Sequence, residues 1–136
     1  MEREIKMEYG YKKEINIPYE EAVIKVKTEL QKEGFGVLTE IDVKATLKKK
    51  LGVDHDNYII LGACNPPFAH QALETGKDIG LLLPCNVIVY VQGGKTFVSA
   101  ILPTVQLGKV GNPKLLPIAE QVENKLKKVV DVTAKK

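Results

Sequence analysis

The sequence predicts an α+β domain in which helices pack on a single, mainly antiparallel sheet. The 136 residues suffice for one hydrophobic core and not for two. Stretches in which apolar residues alternate with period two indicate strands, and most of them fall between two longer stretches of helical period. No internal repeat, low-complexity stretch or linker interrupts the chain, so we expect one domain over residues 1–136.

Four elements are predicted in the N-terminal half: a strand at 5–17, a helix at 18–33, a strand at 37–41 and a short helix at 43–51. In the first strand the odd positions are apolar, and Lys13 is the single break in the pattern. Pro18 suits the first position of a helix, and Gly34 suits its end. Asp42 is placed to cap the short helix, which Gly52 would end.

The C-terminal half is predicted as follows: strands at 58–64, 79–91 and 95–102, a short helix at 67–74, a loop at 103–113 and a final helix from 117. Asn65 suits the N-cap of the short helix, and Gly76 its end. Gly93 and Gly94 favour a hairpin because glycine readily adopts positive φ, so the last two strands should pair antiparallel. Pro117 would break an interior turn, so we expect the final helix to begin there.

The composition excludes several classes of protein. A net charge of +3 is too small for a dedicated nucleic-acid surface, and the absence of tryptophan leaves little for base stacking. The longest apolar run, residues 79–91, is shorter than the ~20 residues of a membrane helix. The first residues alternate charged and apolar side chains, unlike a secretory signal. We therefore expect a cytoplasmic protein that binds neither nucleic acid nor a membrane.

The strands at 58–64 and 81–91 also predict a protein partner. They are apolar at nearly every position, which indicates that both faces of the sheet are buried from solvent there. Two long helices can cover only one face, and the short helices at 43–51 and 67–74 would cover part of the other. We expect a second copy of the chain to cover the remainder, and hence a homodimer.

A repeated Cys-Asn pair is the most conspicuous motif, at Cys64-Asn65 and again at Cys85-Asn86. Cys64 would lie just before a helix N-terminus, where free backbone N–H groups favour the thiolate and can also hold a carboxylate or phosphate. We predict a ligand pocket lined by the two pairs. The alternative is that both cysteines are small buried core residues and both asparagines satisfy local backbone groups.

His70 is the other candidate site residue, because it lies off the apolar stripe of its helix and should be solvated. Cys64, His70 and Cys85 would together make a three-ligand site for a soft metal, or a thiol with a nearby base. Their spacing matches no common metal motif, and a surface histidine without a role is the alternative. We expect His55, in a polar turn, to be a solvated loop residue.

Three ordered segments resemble the family called domain of unknown function 302: residues 34–42 (GFGVLTEID), 61–66 (LGACNP) and 80–87 (GLLLPCNV). The similarity extends over nearly the whole chain. It implies a β-α-β(4)-α fold, in agreement with the element order above, and a stand-alone bacterial or archaeal domain that tends to form dimers. It implies no activity. The signature positions carried over are Cys64, Asn65, Pro66, Leu83, Pro84, Cys85 and Asn86.

Three functions remain open at this point. The first is a dimeric module that binds a small ligand, an anion or a soft metal in a pocket lined by the Cys-Asn pairs. The second is an enzyme in which Cys64 acts as a nucleophile or redox thiol. The third is a structural or partner-binding protein whose cysteines only pack. The sequence identifies no cofactor.

Overall fold

The computed structural model describes residues 3–135. Its single sheet has six antiparallel strands in the order β1-β2-β6-β5-β4-β3. The strands are β1 (Arg3–Ile5), β2 (Gly10–Ile15), β3 (Gly36–Asp42), β4 (Tyr58–Cys64), β5 (Cys85–Gln92) and β6 (Lys95–Ile101). The helices are α1 (Tyr19–Lys32), α2 (Val43–Leu51), α3 (Pro66–Thr75), α4 (Pro103–Gly108) and α5 (Leu115–Ala134), with a 3₁₀ helix at Lys77–Leu82. The predicted α+β class and antiparallel sheet are confirmed.

The hydrophobic core lies between one face of the sheet and helices α1 and α5. Every fourth residue on one side of α1 is fully buried: Ala22, Val26 and Leu30. The facing strand residues are buried as well: Leu61, Val87, Val89 and Val98. Burial of each large aliphatic side chain stabilises the fold by about 1.5–3 kcal/mol. We call this side of the sheet the helical face.

The opposite side of the sheet, here called the open face, is not covered by α3 as the sequence analysis expected. That helix packs against α5 and the 3₁₀ helix, and its buried Ala72 joins a small second core with Ile79 and Leu107. Helix α2 contacts β3 and β4 but buries none of its residues. Apolar side chains of the open face, such as Ile60 and Ile88, are therefore only half-buried.

Several elements differ from the prediction. The first strand is divided into β1 and β2, and residues 6–9 connect them. Residues 79–82 belong to the 3₁₀ helix rather than to β5, because Pro84 has no N–H to donate to a neighbouring strand. Residues 103–108 form α4 instead of a loop. Helix α5 begins at Leu115, and Pro117 is tolerated because it lies in the first turn, where the N–H has no partner within the helix.

Candidate functional site

A cavity of about 260 Å³ lies where β4 ends and β5 begins, beneath helices α3, α4 and α5. Its walls are mainly apolar and include Phe35, Phe68, Leu83, Leu107, Ile118 and Val122. Cys64, Asn65 and Cys85 also line it. The structure therefore brings together three of the five residues that the sequence singled out. We call this space the cysteine cavity.

Both cysteines are free, and burial disfavours their thiolate forms. Burial raises the pKa of the half-buried Cys64 thiol above its ordinary value. For Cys85, burial and then the neighbouring Cys64 raise the pKa to about 11. The expectation that a helix N-terminus favours the Cys64 thiolate is wrong. Pro66 and Pro67 occupy the first two positions of α3, and neither has an N–H to offer a negative charge.

Asn65 holds the cavity wall by a contact that the sequence analysis did not predict. It occupies the N-cap position of α3, but its side chain makes no capping hydrogen bond there. Instead its Nδ2 donates to the backbone oxygen of Glu33 at 3.1 Å, at the end of α1. Gly34 makes this approach possible, because its φ is +87° and a Cβ there would lie 3.3 Å from Asn65 Nδ2. Asn65 thus joins the start of α3 to the end of α1.

His70 does not lie with the two cysteines. Its side chain is 76% exposed, and its Nε2 lies 3.0 Å from Glu74 Oε1, one turn along α3. The lining of the cysteine cavity does not include it. Within residues 3–135, no three His, Cys, Asp or Glu side chains are grouped so that they could hold a metal ion. The three-ligand arrangement of Cys64, His70 and Cys85 is absent from the described part of the chain.

Asn86 lies on the open face, whereas Cys85 lies on the helical face. Successive residues of a strand point to opposite sides of the sheet, so the second Cys-Asn pair is divided between them. Cys85 is buried beside Ala63 in the register of β4 and β5. Asn86 is exposed and lines a different depression. The two Cys-Asn pairs therefore do not form one pocket, contrary to the sequence-based interpretation.

That depression is a groove of about 530 Å³ across the open face, which the sequence analysis missed. We call it the open-face groove. Tyr58 and Tyr90 line its floor, and with Phe97 of the next strand they form a ladder of stacked rings. Met7 and Tyr9 line one side, and His55 lines it near Tyr58. The sequence does contain a signal for this groove, because three aromatic positions fall on strands that neighbour each other in the sheet. Their pairing can be recognised only once the register of the strands is known.

Comparison with known proteins agrees with the resemblance seen in the sequence. A crystal structure of an uncharacterized conserved DUF302 protein from Bacillus stearothermophilus superposes with a TM-score of 0.87 at 30% identity, covering 95% of this chain and 100% of that one. No curated protein matches this chain significantly. Across the described residues, no helix is both long and apolar enough to cross a membrane. The model of the family described as Domain of unknown function DUF302 matches residues 11–133, and the chain belongs to that family.

Proposed function

We propose that this chain binds a small, mainly apolar molecule in the cysteine cavity. The observation that carries the proposal is the cavity itself, about 260 Å³ of space with mainly apolar walls. Water gains few hydrogen bonds in such a space, and an apolar cavity of about 150 Å³ is already large enough for benzene. Leu38 lines the cavity and is 67% exposed, which gives a ligand a path from solvent.

The chemistry of the walls favours an apolar ligand over an anion or a soft metal. The start of α3 lacks two of its N–H donors at Pro66 and Pro67, which weakens it as an anion site. Cys64 and Cys85 present neutral thiols at pH 7, because burial raises the pKa of each. A neutral thiol packs like a small apolar group, whereas metal binding requires the thiolate.

The raised pKa of Cys64 also argues against the alternative of a thiol-dependent enzyme. A nucleophilic cysteine needs a lowered pKa or a nearby base. Burial raises the pKa of Cys64, and His70 lies on the exposed side of α3, where its Nε2 contacts Glu74 Oε1. We therefore give the binding role precedence over catalysis.

The binding proposal is tested with toluene as the probe. We expect toluene to shift the backbone amide NMR signals of residues 63–65 and 68–72 in a saturable way in the native protein. Ala69→Leu adds three carbons beside the cavity lining and should weaken this binding about tenfold or more. Ala45→Leu, at an exposed position of α2, is the matched control and should leave binding unchanged. Toluene shifts spread over other regions, or equal binding by both variants, would contradict the proposal.

We also propose that the chain assembles as a homodimer, through the sheet edge formed by β3 and the adjacent α2. On the open face, Phe97 and Ser99 are already buried within one chain. At the edge, by contrast, three apolar side chains are 46–69% exposed: Ile41, Leu51 and Val53. Edge strands also present unpaired backbone groups to a neighbouring chain. A second copy at this edge would bury the apolar side chains and leave the open-face groove accessible.

Light scattering tests the assembly. We expect a particle of twice the chain mass of 15.0 kDa at micromolar concentration. Leu51→Glu should give the monomer, because it places a charge in the contact. Leu81→Glu, at a residue 86% exposed on the 3₁₀ helix, is the control and should stay dimeric. A monomeric native protein would exclude the homodimer.

A further inference from the structure

The floor of the open-face groove places a cation beside the aromatic ladder. In the register of the sheet, Lys12 of β2 pairs with Ser99 of β6, and Ser99 pairs with Ile88 of β5. The neighbouring row across β6, β5 and β4 is the ladder Phe97, Tyr90 and Tyr58. Its ring centroids are 5.2 and 5.3 Å apart, with planes inclined by 24° and 14°. The polar pair Lys12 and Ser99 therefore lies beside the aromatic row.

The Lys12 ammonium reaches over two rings of this ladder. Its Nζ lies 5.1 Å from the centre of the Tyr90 ring and 4.8 Å from that of Phe97. The side chain is half-buried, and among residues 3–135 no carboxylate forms an ion pair with it. Cation–π contact holds the ammonium in place, but it leaves the N–H donors of that group without an anionic acceptor. An anion arriving in the groove would supply one.

Ser99 provides a second donor next to Lys12. Its side chain is buried, and its hydroxyl lies 4.0 Å from the sulfur of Met7, which is a weak acceptor. Gly10 makes room for this pair, because a Cβ there would lie 3.0 Å from the Met7 sulfur and 3.1 Å from Ser99 Oγ. A carboxylate is a far better acceptor than a thioether. The hydroxyl would therefore turn from Met7 to a carboxylate held by Lys12.

The far end of the groove fixes the direction of a ligand. His55 meets the edge of the Tyr58 ring with centroids 6.0 Å apart, and Asp56 lines the groove beside it. The carboxylate of Asp56 would repel an acidic group at this end. At the other end, Glu14 pairs with Phe97 in the register, but its carboxylate is compensated by Lys95, whose Nζ lies 3.9 Å away. The acid of a ligand is thus directed to Lys12 and Ser99, and its flat body toward Tyr90 and Tyr58.

We propose that the open-face groove is a binding site for a small aromatic carboxylate. The carboxylate accepts from Lys12 Nζ and Ser99 Oγ, while the ring stacks on the exposed part of the ladder. The volume of about 530 Å³ lies within the range of small-molecule sites, and aromatic walls with a few polar groups are typical of them. This site is separate from the cysteine cavity and does not depend on the function proposed for it.

The probes for the test are 2-naphthoate and the uncharged 2-naphthalenemethanol, each titrated into the native chain by amide NMR. We expect naphthoate to shift the amide signals of Lys12, Tyr90 and Ser99 in a saturable way, and to bind about tenfold more tightly than the alcohol. Lys12→Met keeps an unbranched side chain, one atom shorter than lysine, and removes its charge. It should weaken naphthoate binding about tenfold and leave the alcohol unchanged.

Lys44→Met removes an exposed lysine from α2 and is the matched control, for which we expect native affinity. Ser99→Ala should weaken naphthoate binding about threefold. Equal affinity for the two probes, native affinity in Lys12→Met, or shifts confined to the cysteine cavity would each overturn the proposal. One further result would overturn it: naphthoate fails to bind, and the groove amide signals shift when a dimer is diluted. The groove would then be an interface between copies of the chain.

Discussion

Lys13 and Asp131 form an ion pair between β2 and α5, with Nζ 2.9 Å from Oδ1. The hydroxyl of Tyr11 donates to the same oxygen at 2.7 Å. Lys13 was the one residue that interrupted the apolar pattern of the first predicted strand. Its side chain is only 13% exposed because it lies on the helical face, and Asp131 allows a charge to remain there.

Asp131→Ala should therefore be markedly destabilising. The substitution removes the acceptor of the Tyr11 hydrogen bond and the anion that pairs with Lys13, a cation that is largely buried. We expect the free energy of unfolding to fall by about 1–3 kcal/mol, as measured by urea denaturation. Asp54→Ala is the control, since Asp54 pairs with Lys48 and its side chain is 93% exposed. That change should cost less than about 0.5 kcal/mol, and an equal loss in both variants would contradict this account.

The two asparagines of the Cys-Asn pairs should differ in their effect on stability. Asn65→Ala removes the donor to the Glu33 oxygen and leaves that carbonyl without this partner at the end of α1. We expect a loss of about 1–2 kcal/mol by thermal or urea unfolding. Asn86→Ala is a matched control on the exposed open face and should change stability by less than about 0.5 kcal/mol. Equal effects would mean that the Asn65 contact is not stabilising.

Local signals in the sequence were sufficient for some elements. Helix α2 has the predicted bounds, because Asp42 Oδ1 accepts from the Ala45 N–H at 2.9 Å and Gly52 adopts a φ of +66° at its end. Strand β4 likewise has the predicted bounds. The β5–β6 hairpin forms at Gly93 and Gly94, whose φ values are +60° and +76°. Each signal lies within a few residues of the element it defines.

The elements and contacts that were missed depend on residues distant in sequence. The residues of helix α4 were expected to form a loop. Thr104 lies in the first turn of α4, and both its backbone N–H and its hydroxyl donate to Glu123 of α5, a contact that the sequence did not reveal. Asn65 was expected to cap its own helix, but it bonds to Glu33, 32 residues earlier. The cysteine cavity was predicted in part, because Cys64 and Cys85 end and begin neighbouring strands. The exposure of His70 was predicted correctly from the periodicity of α3, but its separation from the two cysteines depends on how α3 packs against the rest of the fold.

The buried thiol of Cys85 should make the protein less stable at high pH. Burial raises its pKa to about 11 in the folded chain, whereas the unfolded chain exposes a thiol that ionises near 9. Below pH 8 the thiol is neutral in both the folded and the unfolded chain, so it does not change the free energy of unfolding. Above pH 9 the unfolded state releases its proton first, so the free energy of unfolding falls, by about 2–3 kcal/mol near pH 11.

Comparison with Cys85→Ala isolates this effect, because lysines and tyrosines titrate in the same range in both proteins. The difference in unfolding free energy between native and variant chains should be constant from pH 6 to 8 and should narrow above pH 9. Alkylation by iodoacetamide gives a second measurement: the rate at Cys64 should keep rising beyond pH 9, since burial raises its pKa. A rate that levels off below pH 8 would indicate an activated thiolate instead.

Gly62 is required by a close approach between β3, β4 and the chain before β5. It pairs with Thr39, and a Cβ at position 62 would collide with Thr39 Oγ1 and lie 2.9 Å from Pro84 Cγ. Gly62→Ala should therefore destabilise the fold by about 1–3 kcal/mol, although alanine is otherwise preferred to glycine within a strand.

A double-mutant cycle tests the cause of that loss. Thr39→Ala removes the hydroxyl oxygen, so Gly62→Ala should cost at least about 1 kcal/mol less in that background than in the native chain. Thr39→Ala should restore only part of the stability that Gly62→Ala removes, because Pro84 remains close to position 62. Gly36→Ala in β3 is the control, since a Cβ there meets nothing within 4 Å, and it should be neutral or slightly stabilising. Additive effects of Gly62→Ala and Thr39→Ala in urea unfolding would show that the two residues do not meet, and that the register of β3 against β4 differs from the one described.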